Sequence, residues 1–327
     1  MSSDKRNASQ SRSTLKTHRM SMFNPRHFIV TLLFVALICT EGFRMSRSTL
    51  RCFNLKPSAD SSANWSDQIK GMSQKELMAK DECVLVNEND EIVGTASKFD
   101  AHRFTPGSNP KGLLHRAFSV LLFNEKNELL LQQRASHKIT FPDVWTNTCC
   151  SHPLSGFTPD EVDDKESVDS GNVDGIKAAA QRKLAHELGI NVLPTESIRY
   201  ISRIHYSAPC SILDGDKDVD DGNADGGYWG ESEIDYILLT KLDTTNDTGL
   251  FSMQPNAEEV RGVRFVSQDE LVTMMADPGL KWSPWFRLLA EKLLPAWWND
   301  LDRAITTSDY VELEKIHRFQ IEEEMDM

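Results

Sequence analysis

Two neighbouring stretches of this chain are too continuously apolar for a sheet with one wet face. His115-Arg116-Ala117-Phe118-Ser119-Val120-Leu121-Leu122-Phe123 and Glu128-Leu129-Leu130-Leu131-Gln132-Gln133-Arg134 are joined by the turn residues Asn124 to Asn127. Such strands predict a sheet covered on both faces. The other elements fit around it. Glu82 to Val86 and Glu91 to Thr95 flank a turn and make a hairpin. Tyr200 to Tyr206, Ile234 to Leu239 and Val260 to Val266 are further strands. Ile176, Ala180, Leu184 and Leu188 recur every four residues, one face of a helix with Asp174 near its start and Gly189 as its stop. Ser267 to Glu270 forms a capping box for a short helix. Ser283-Pro284 opens the last helix, with Ser as cap and an apolar stripe from Trp285 to Leu293 that ends near Trp297-Trp298. Asp160 to Asp174 receives no element, and the Asp/Gly-rich insertion Cys210 to Gly227 reads as a solvated loop. Mixed strands with a few helices make an α+β sandwich.

Charge divides the chain. Residues 1–57 hold ten Lys and Arg against Asp4 and Glu41, about +8, so the remainder of a chain of net charge −13 stands near −21. An acidic body excludes nucleic acid as the main partner. The basic leader contains the apolar run Phe28 to Thr40, whose thirteen residues are short for a membrane span. The acid-free, Arg- and Ser-rich stretch Gly42 to Arg51 follows, with Phe43 near its start. This is a signal-type segment followed by a transit-like one. It resembles the bipartite plastid leader of algae with complex plastids; a membrane anchor, leaving the domain at the endoplasmic reticulum or in the cytosol, is the alternative. The expected division is 1–57 targeting leader, 58–81 linker, 82–300 catalytic domain and 301–327 charged tail.

Trp145-Thr146-Asn147-Thr148-Cys149-Cys150-Ser151-His152-Pro153 is poor material for a helix or a core. It reads as a loop presenting a thiol and an imidazole to a pocket, against the plainer reading of two buried cysteines and a surface histidine. The six cysteines, two of them in the leader, do not form a disulfide framework, which places the folded part in a reducing compartment.

The expected helix ends in Arg182-Lys183-Leu184-Ala185-His186-Glu187-Leu188-Gly189-Ile190. This resembles the end of the Nudix signature, Arg-Glu-apolar-any-Glu-Glu-any-Gly-apolar. Lys183 and His186 stand where two glutamates of that signature hold the Mg²⁺ ions that drive diphosphate hydrolysis. A Nudix fold without them should keep a diphosphate and not cleave it. Leu114 to Ser119, Phe141 to Pro153, Trp229 to Tyr236 and Ser283 to Arg287 complete the pattern. From about Asp81 to Trp298 the chain resembles type I isopentenyl-diphosphate Δ-isomerase. The resemblance implies a Nudix-like α/β/α sandwich with a mixed sheet, and interconversion of isopentenyl and dimethylallyl diphosphates. A Nudix diphosphate hydrolase and a non-catalytic diphosphate-binding relative are the alternatives.

Moving an unactivated double bond requires one proton added and another removed two carbons away, hence two acid/base groups. By resemblance these are Cys150 and Glu233; which protonates first stays open. Cys149 should face the other way and pack. Trp285 offers a π-face to the intervening cation, and Tyr206 lines the pocket. The resemblance also assigns His102, His115, His152, Glu231 and Glu233 to one divalent ion, with Mn²⁺, Zn²⁺ and Mg²⁺ all compatible with that donor set. Lys98, Arg134, Lys138 and Lys183 would oppose the diphosphate, and a Mg²⁺ bridging its oxygens would lie near Glu187. The expected partner is the small-molecule substrate alone, for a monomer with no membrane span in its mature form.

Overall fold

In the structure, a computed structural model describing residues 71–105, 107, 112–191, 193–210, 227–242 and 253–319, the apolar runs lie in the middle of a mixed sheet. The first elements are α1 (Gln74–Lys80), β1 (Glu82–Val86), β2 (Ile92–Ser97), α2 (Lys98–Ala101), β3 (Arg103–Phe104), β4 (His115–Phe123) and β5 (Leu129–Arg134). Then come β6 (Trp145–Thr146), β7 (Cys149–Ser151), α3 (Lys165–Ser170), α4 (Asp174–Leu188), β8 (Arg199–Pro209) and β9 (Tyr228–Lys241). The chain continues through β10 (Val260–Val266), α5 (Gln268–Met275), α6 (Pro284–Lys292), α7 (Leu294–Asn299), α8 (Leu301–Thr306) and β11 (Ile316–Arg318). The strand order is β10-β5-β4-β9-β8-β11, and β4 runs parallel to β9 with His115 beside Glu233. Among the described residues no helix is long and apolar enough to cross a membrane. The leader, its apolar run and Phe43 lie outside the described residues, as do residues 211–226 of the insertion.

Side chains alternate across a strand, and that alternation sorts two cores. On β4 and β9, Phe118, Val120, Leu122, Ile234, Tyr236 and Leu238 pack with Ile176, Ala180, Leu184 and Leu188 of α4. Leu121, Phe123, Ile237 and Leu239 face the other way, onto Trp285, Phe286, Leu289 and Trp297 of α6 and α7. Both faces are therefore covered by helices, as the continuous apolar runs require, and the α/β/α sandwich is present.

Several local expectations are corrected. The cysteine stretch is not simply a loop: β6 pairs with β5, and β7 pairs with β4. Its small polar side chains satisfy buried backbone, with Thr148 Oγ1 donating to Leu130 O at 2.6 Å and accepting from Leu122 N at 2.9 Å. Ser283 precedes α6 but makes no side-chain capping bond; its hydroxyl is turned to Thr146 Oγ1 at 2.7 Å. The acidic segment before α4 holds a helix, α3, capped by Asp164. Asp163 in that segment caps α4 from outside the helix, accepting from Gly175 N at 3.0 Å and Ile176 N at 2.9 Å. A Cβ on Gly175 would meet the Glu161 carbonyl carbon at 2.7 Å, so only glycine admits this close docking. Gly189 ends α4 as expected, in the left-handed conformation at φ 70°. The linker contributes α1, whose Met78 is buried, and the charged tail contributes α8 and β11, which pairs with β8.

Candidate active site and metal centre

Strand alternation builds the site at one end of β4 and β9. His115, Ala117, Ser119 and Leu121 share a face of β4, and Glu231, Glu233, Asp235 and Ile237 share the corresponding face of β9. The same rule separates the two cysteines. Cys150 lies opposite Ser119 and Cys149 opposite Val120. Cys150 therefore joins the site face, while Cys149 is fully buried in the core with α4, its Sγ 3.5 Å from Glu187 Oε2.

His102, His115, His152, Glu231 and Glu233 converge with potential ligand atoms within 4.8 Å of one another, all five residues buried. Backbone carbonyls fix two of the rings. His102 Nδ1 is 2.7 Å from Lys98 O, and His115 Nδ1 is 2.8 Å from Leu113 O. Each Nε2 is thereby aimed inward as a lone pair. His102 Nε2 stands 2.8 Å from Glu231 Oε2, yet neither atom, nor His115 Nε2, has a hydrogen-bond partner among the described residues. Acceptors facing each other in a buried site are repulsive without a cation between them. Burial also holds His152 well below, and His102 below, the usual imidazole range, which keeps both rings neutral. The cluster is compatible with a divalent metal ion.

Glu233 is the shared member. Its Oε1 is 2.8 Å from His152 Nε2 and 3.7 Å from His115 Nε2, and Tyr206 donates its hydroxyl to Oε2 at 2.5 Å. Against the cost of burial, the nearby His115 ring and the Tyr206 hydroxyl hold its carboxyl below the usual carboxylate range. Cys150 is the opposite case. Burial pushes its thiol up to about 12, and Arg134 offsets only part of this. At neutral pH the cavity thus presents a protonated thiol beside an ionised carboxylate. Both line a single cavity with Trp285, Tyr206, Arg134 and Lys98.

The expected diphosphate residues are brought together, with one partner that sequence reasoning missed. Lys183 Nζ is 3.0 Å from Glu187 Oε1 and 3.9 Å from Glu259 Oε1, and Lys138 is hydrogen-bonded to Glu259 Oε2. Gln132 Nε2 donates to Glu187 Oε2 at 3.0 Å. Glu259 is 4% exposed. Nothing in its sequence neighbourhood marks it, because β10 meets the site only through its pairing with β5. Arg134 spends two of its nitrogens on the loop before β6, donating to Phe141 O at 2.9 Å and Thr140 O at 2.8 Å. Its Nη1 lies 3.9 Å from Cys150 Sγ. Ser151 and Asp235 also line the cavity and were not singled out by sequence. Asp235 accepts from Ser119 Oγ at 2.8 Å, and burial raises its carboxyl well above the usual range.

A mixed sheet clasped between helices, with Lys183 and Glu187 on helix α4, is the arrangement of the Nudix class, and a NUDIX domain model matches residues 113–286. The chain is 42% identical over 276 residues to the isopentenyl-diphosphate delta-isomerase of Gibberella zeae, a match covering 84% of this chain and 94% of that one. It is 40% identical over 252 residues to the isopentenyl-diphosphate delta-isomerase of Schizosaccharomyces pombe, covering 76% and 96%. Its match to the chloroplastic isopentenyl-diphosphate Delta-isomerase II of Arabidopsis thaliana is also 40%, covering 75% and 78%. The chain belongs to the isopentenyl-diphosphate delta-isomerase family of the Nudix superfamily. It is an isomerase that interconverts isopentenyl and dimethylallyl diphosphates.

Proposed function

We propose that Cys150 and Glu233 carry the two proton transfers. The observation behind this is their opposite charge state in one cavity, a thiol beside a carboxylate. One group can give a proton while the other takes one, and the pair exchanges roles when the reaction runs backwards. Trp285 lines the same cavity and presents its π-face to the tertiary cation formed between the transfers. Tyr206 fixes Glu233 through its hydroxyl. His102, His115, His152, Glu231 and Glu233 hold a divalent ion, Mn²⁺, Zn²⁺ or Mg²⁺. That ion supplies a fixed charge that keeps Glu233 in place and tunes its proton affinity.

Lys98, Arg134, Lys138 and Lys183 bind the diphosphate, with a Mg²⁺ near Glu187 neutralising its remaining charge. Their convergence on the cavity supports this. The test is turnover of isopentenyl diphosphate in D₂O with Mg²⁺. Deuterium in dimethylallyl diphosphate is the expected result. Phosphate release would favour a hydrolase, and unchanged substrate a binding protein. Residues 1–57 direct the enzyme to a plastid, an assignment supported by their basic, acid-poor composition and by a chloroplastic relative. A reporter fused to residues 1–80 should enter the plastid of an alga with a complex plastid. Retention at the endoplasmic reticulum, uncleaved, would favour an anchor.

A further inference from the structure

Asn147 sits between β6 and β7, is fully buried, and has no place in the acid/base, metal or diphosphate sets. Its side-chain amide is nevertheless saturated. Oδ1 accepts from Trp285 Nε1 at 3.1 Å and from Thr146 Oγ1 at 2.8 Å. Nδ2 donates to Cys149 O at 2.8 Å and to Val120 O at 3.2 Å. The indole N–H can only donate and the two carbonyls can only accept, so the amide has one orientation. Cys149 O belongs to the peptide bond that leads into Cys150. One side chain therefore holds both the indole ring and the backbone that carries the thiol.

We propose that Asn147 is a positioning residue of this isomerase, locking the Trp285 ring and the Cys150 peptide into one fixed relation across the cavity. The inference rests on the roles given above to Trp285 and Cys150. Its physical basis is geometric. Attraction between a cation and a ring requires the ring face within about 6 Å of the charge, and a proton donor must meet its carbon in line. A misplacement of about 1 Å is worth roughly a hundredfold in rate. The surroundings reinforce the lock. Thr146 Oγ1, which donates to Asn147, also meets Ser283 Oγ at 2.7 Å, and Ser283 N donates to Trp145 O at 2.9 Å. The start of α6 is thus tied to the cysteine strands through Asn147 and its neighbours. The diphosphate residues lie outside this network, so loss of the lock should fall on kcat and spare KM.

A double-mutant cycle tests it. Asn147→Ala should lower kcat about a hundredfold, with KM for isopentenyl diphosphate changed by less than about threefold. Trp285→Phe keeps a ring face and removes the N–H. If Asn147 acts through the ring, the double variant loses little more than the worse single variant. Losses that multiply, or a raised KM with kcat intact, would overturn the inference while leaving the acid/base reading standing. Full kcat in Trp285→Phe would show that the indole N–H bond to Asn147 is dispensable and would also overturn the inference. A second measurement reads the wild-type protein directly. In the full-length wild-type enzyme labelled with ¹⁵N-tryptophan, the resonance missing from Trp285→Phe identifies the Trp285 indole. Its N–H should be strongly protected from solvent exchange; rapid exchange would refute the lock.

Discussion

Two buried clusters of ionisable groups flank one cavity, and they solve the problem of burial in opposite ways. The Lys138, Lys183, Glu187 and Glu259 cluster is balanced, two ammonium groups against two carboxylates in direct contact. The His102, His115, His152, Glu231 and Glu233 cluster has two carboxylates and no lysine or arginine paired with them among the described residues. The first carries its cations on the chain. The second is compatible with a divalent ion taken up from solution. On the Nudix helix, Lys183 puts a fixed ammonium 3.0 Å from Glu187, where the signature has a further glutamate.

The largest effects should come from the proton carriers. Cys150→Ala and Glu233→Gln should each cost about a thousandfold or more in turnover, the scale of a positioned proton-transfer group. Chelation should likewise abolish turnover, and His115→Ala should lower the metal content of the purified protein. Full activity in excess chelator would erase the contrast between the clusters.

Stability should respond to carboxylate removal with opposite signs. Glu259→Gln leaves Lys138 and Lys183 buried with one carboxylate between them, and should destabilise the protein by about 3–5 kcal/mol. Glu231→Gln removes a carboxylate that lacks a paired lysine or arginine, so in chelated protein it should raise stability. Denaturant melts of both variants in chelator check this, and equal signs would break the comparison.

Sequence carried much of this arrangement. Continuous apolar runs foretold the two-faced sheet. Local chemistry also predicted Gly189 as a stop and Ser267 as a cap. What stayed hidden depends on contacts between distant segments. Asp163 caps α4 from a loop, Glu259 enters through the pairing of β10 with β5, and Ser283 is diverted by Thr146 137 residues away. Thr146, Asn147 and Thr148 look like loop residues because their polar groups are unpaired in the sequence. In the fold those groups are bonds to buried backbone and indole.

A pH effect should mark the balanced cluster. Burial, with Lys183 beside it, lowers His186 from 6.5 to about 4. In the unfolded chain this histidine takes up a proton as pH falls through about 6.5, while in the folded protein it stays neutral until about 4. The unfolded state then binds more protons, so stability is lost as pH falls between these values, by up to about 3 kcal/mol. Glu259 and Glu187 oppose the shift, Lys138 adds to it, and Asn256 Nδ2 lies 3.4 Å from the ring. His186→Gln should flatten the dependence over that window relative to wild type, measured by denaturation at matched salt. An unchanged slope would show that His186 is protonated in the folded protein.

The smallest expected effect falls where the two clusters come within one residue of each other. Cys149 and Cys150 are adjacent, yet alternation sends one side chain to Glu187 and the other to the cavity of Glu233. Burial and the nearby Glu187 push the Cys149 thiol well above its usual value, so it is held as a neutral packing group. Cys149→Ser replaces sulfur by a smaller, more polar atom that still reaches toward Glu187. The cost is a shortened contact in the core and a buried hydroxyl with an acceptor at hand, about 1–2 kcal/mol of stability. The reacting face of the strand is untouched, so turnover should stay within roughly tenfold of wild type while Cys150→Ala falls a thousandfold. Steady-state kinetics beside a denaturant melt separates the two costs. A dead Cys149→Ser enzyme that melts like wild type would mean that the thiol facing α4 takes part in the chemistry, and the division of labour between the clusters would have to be redrawn.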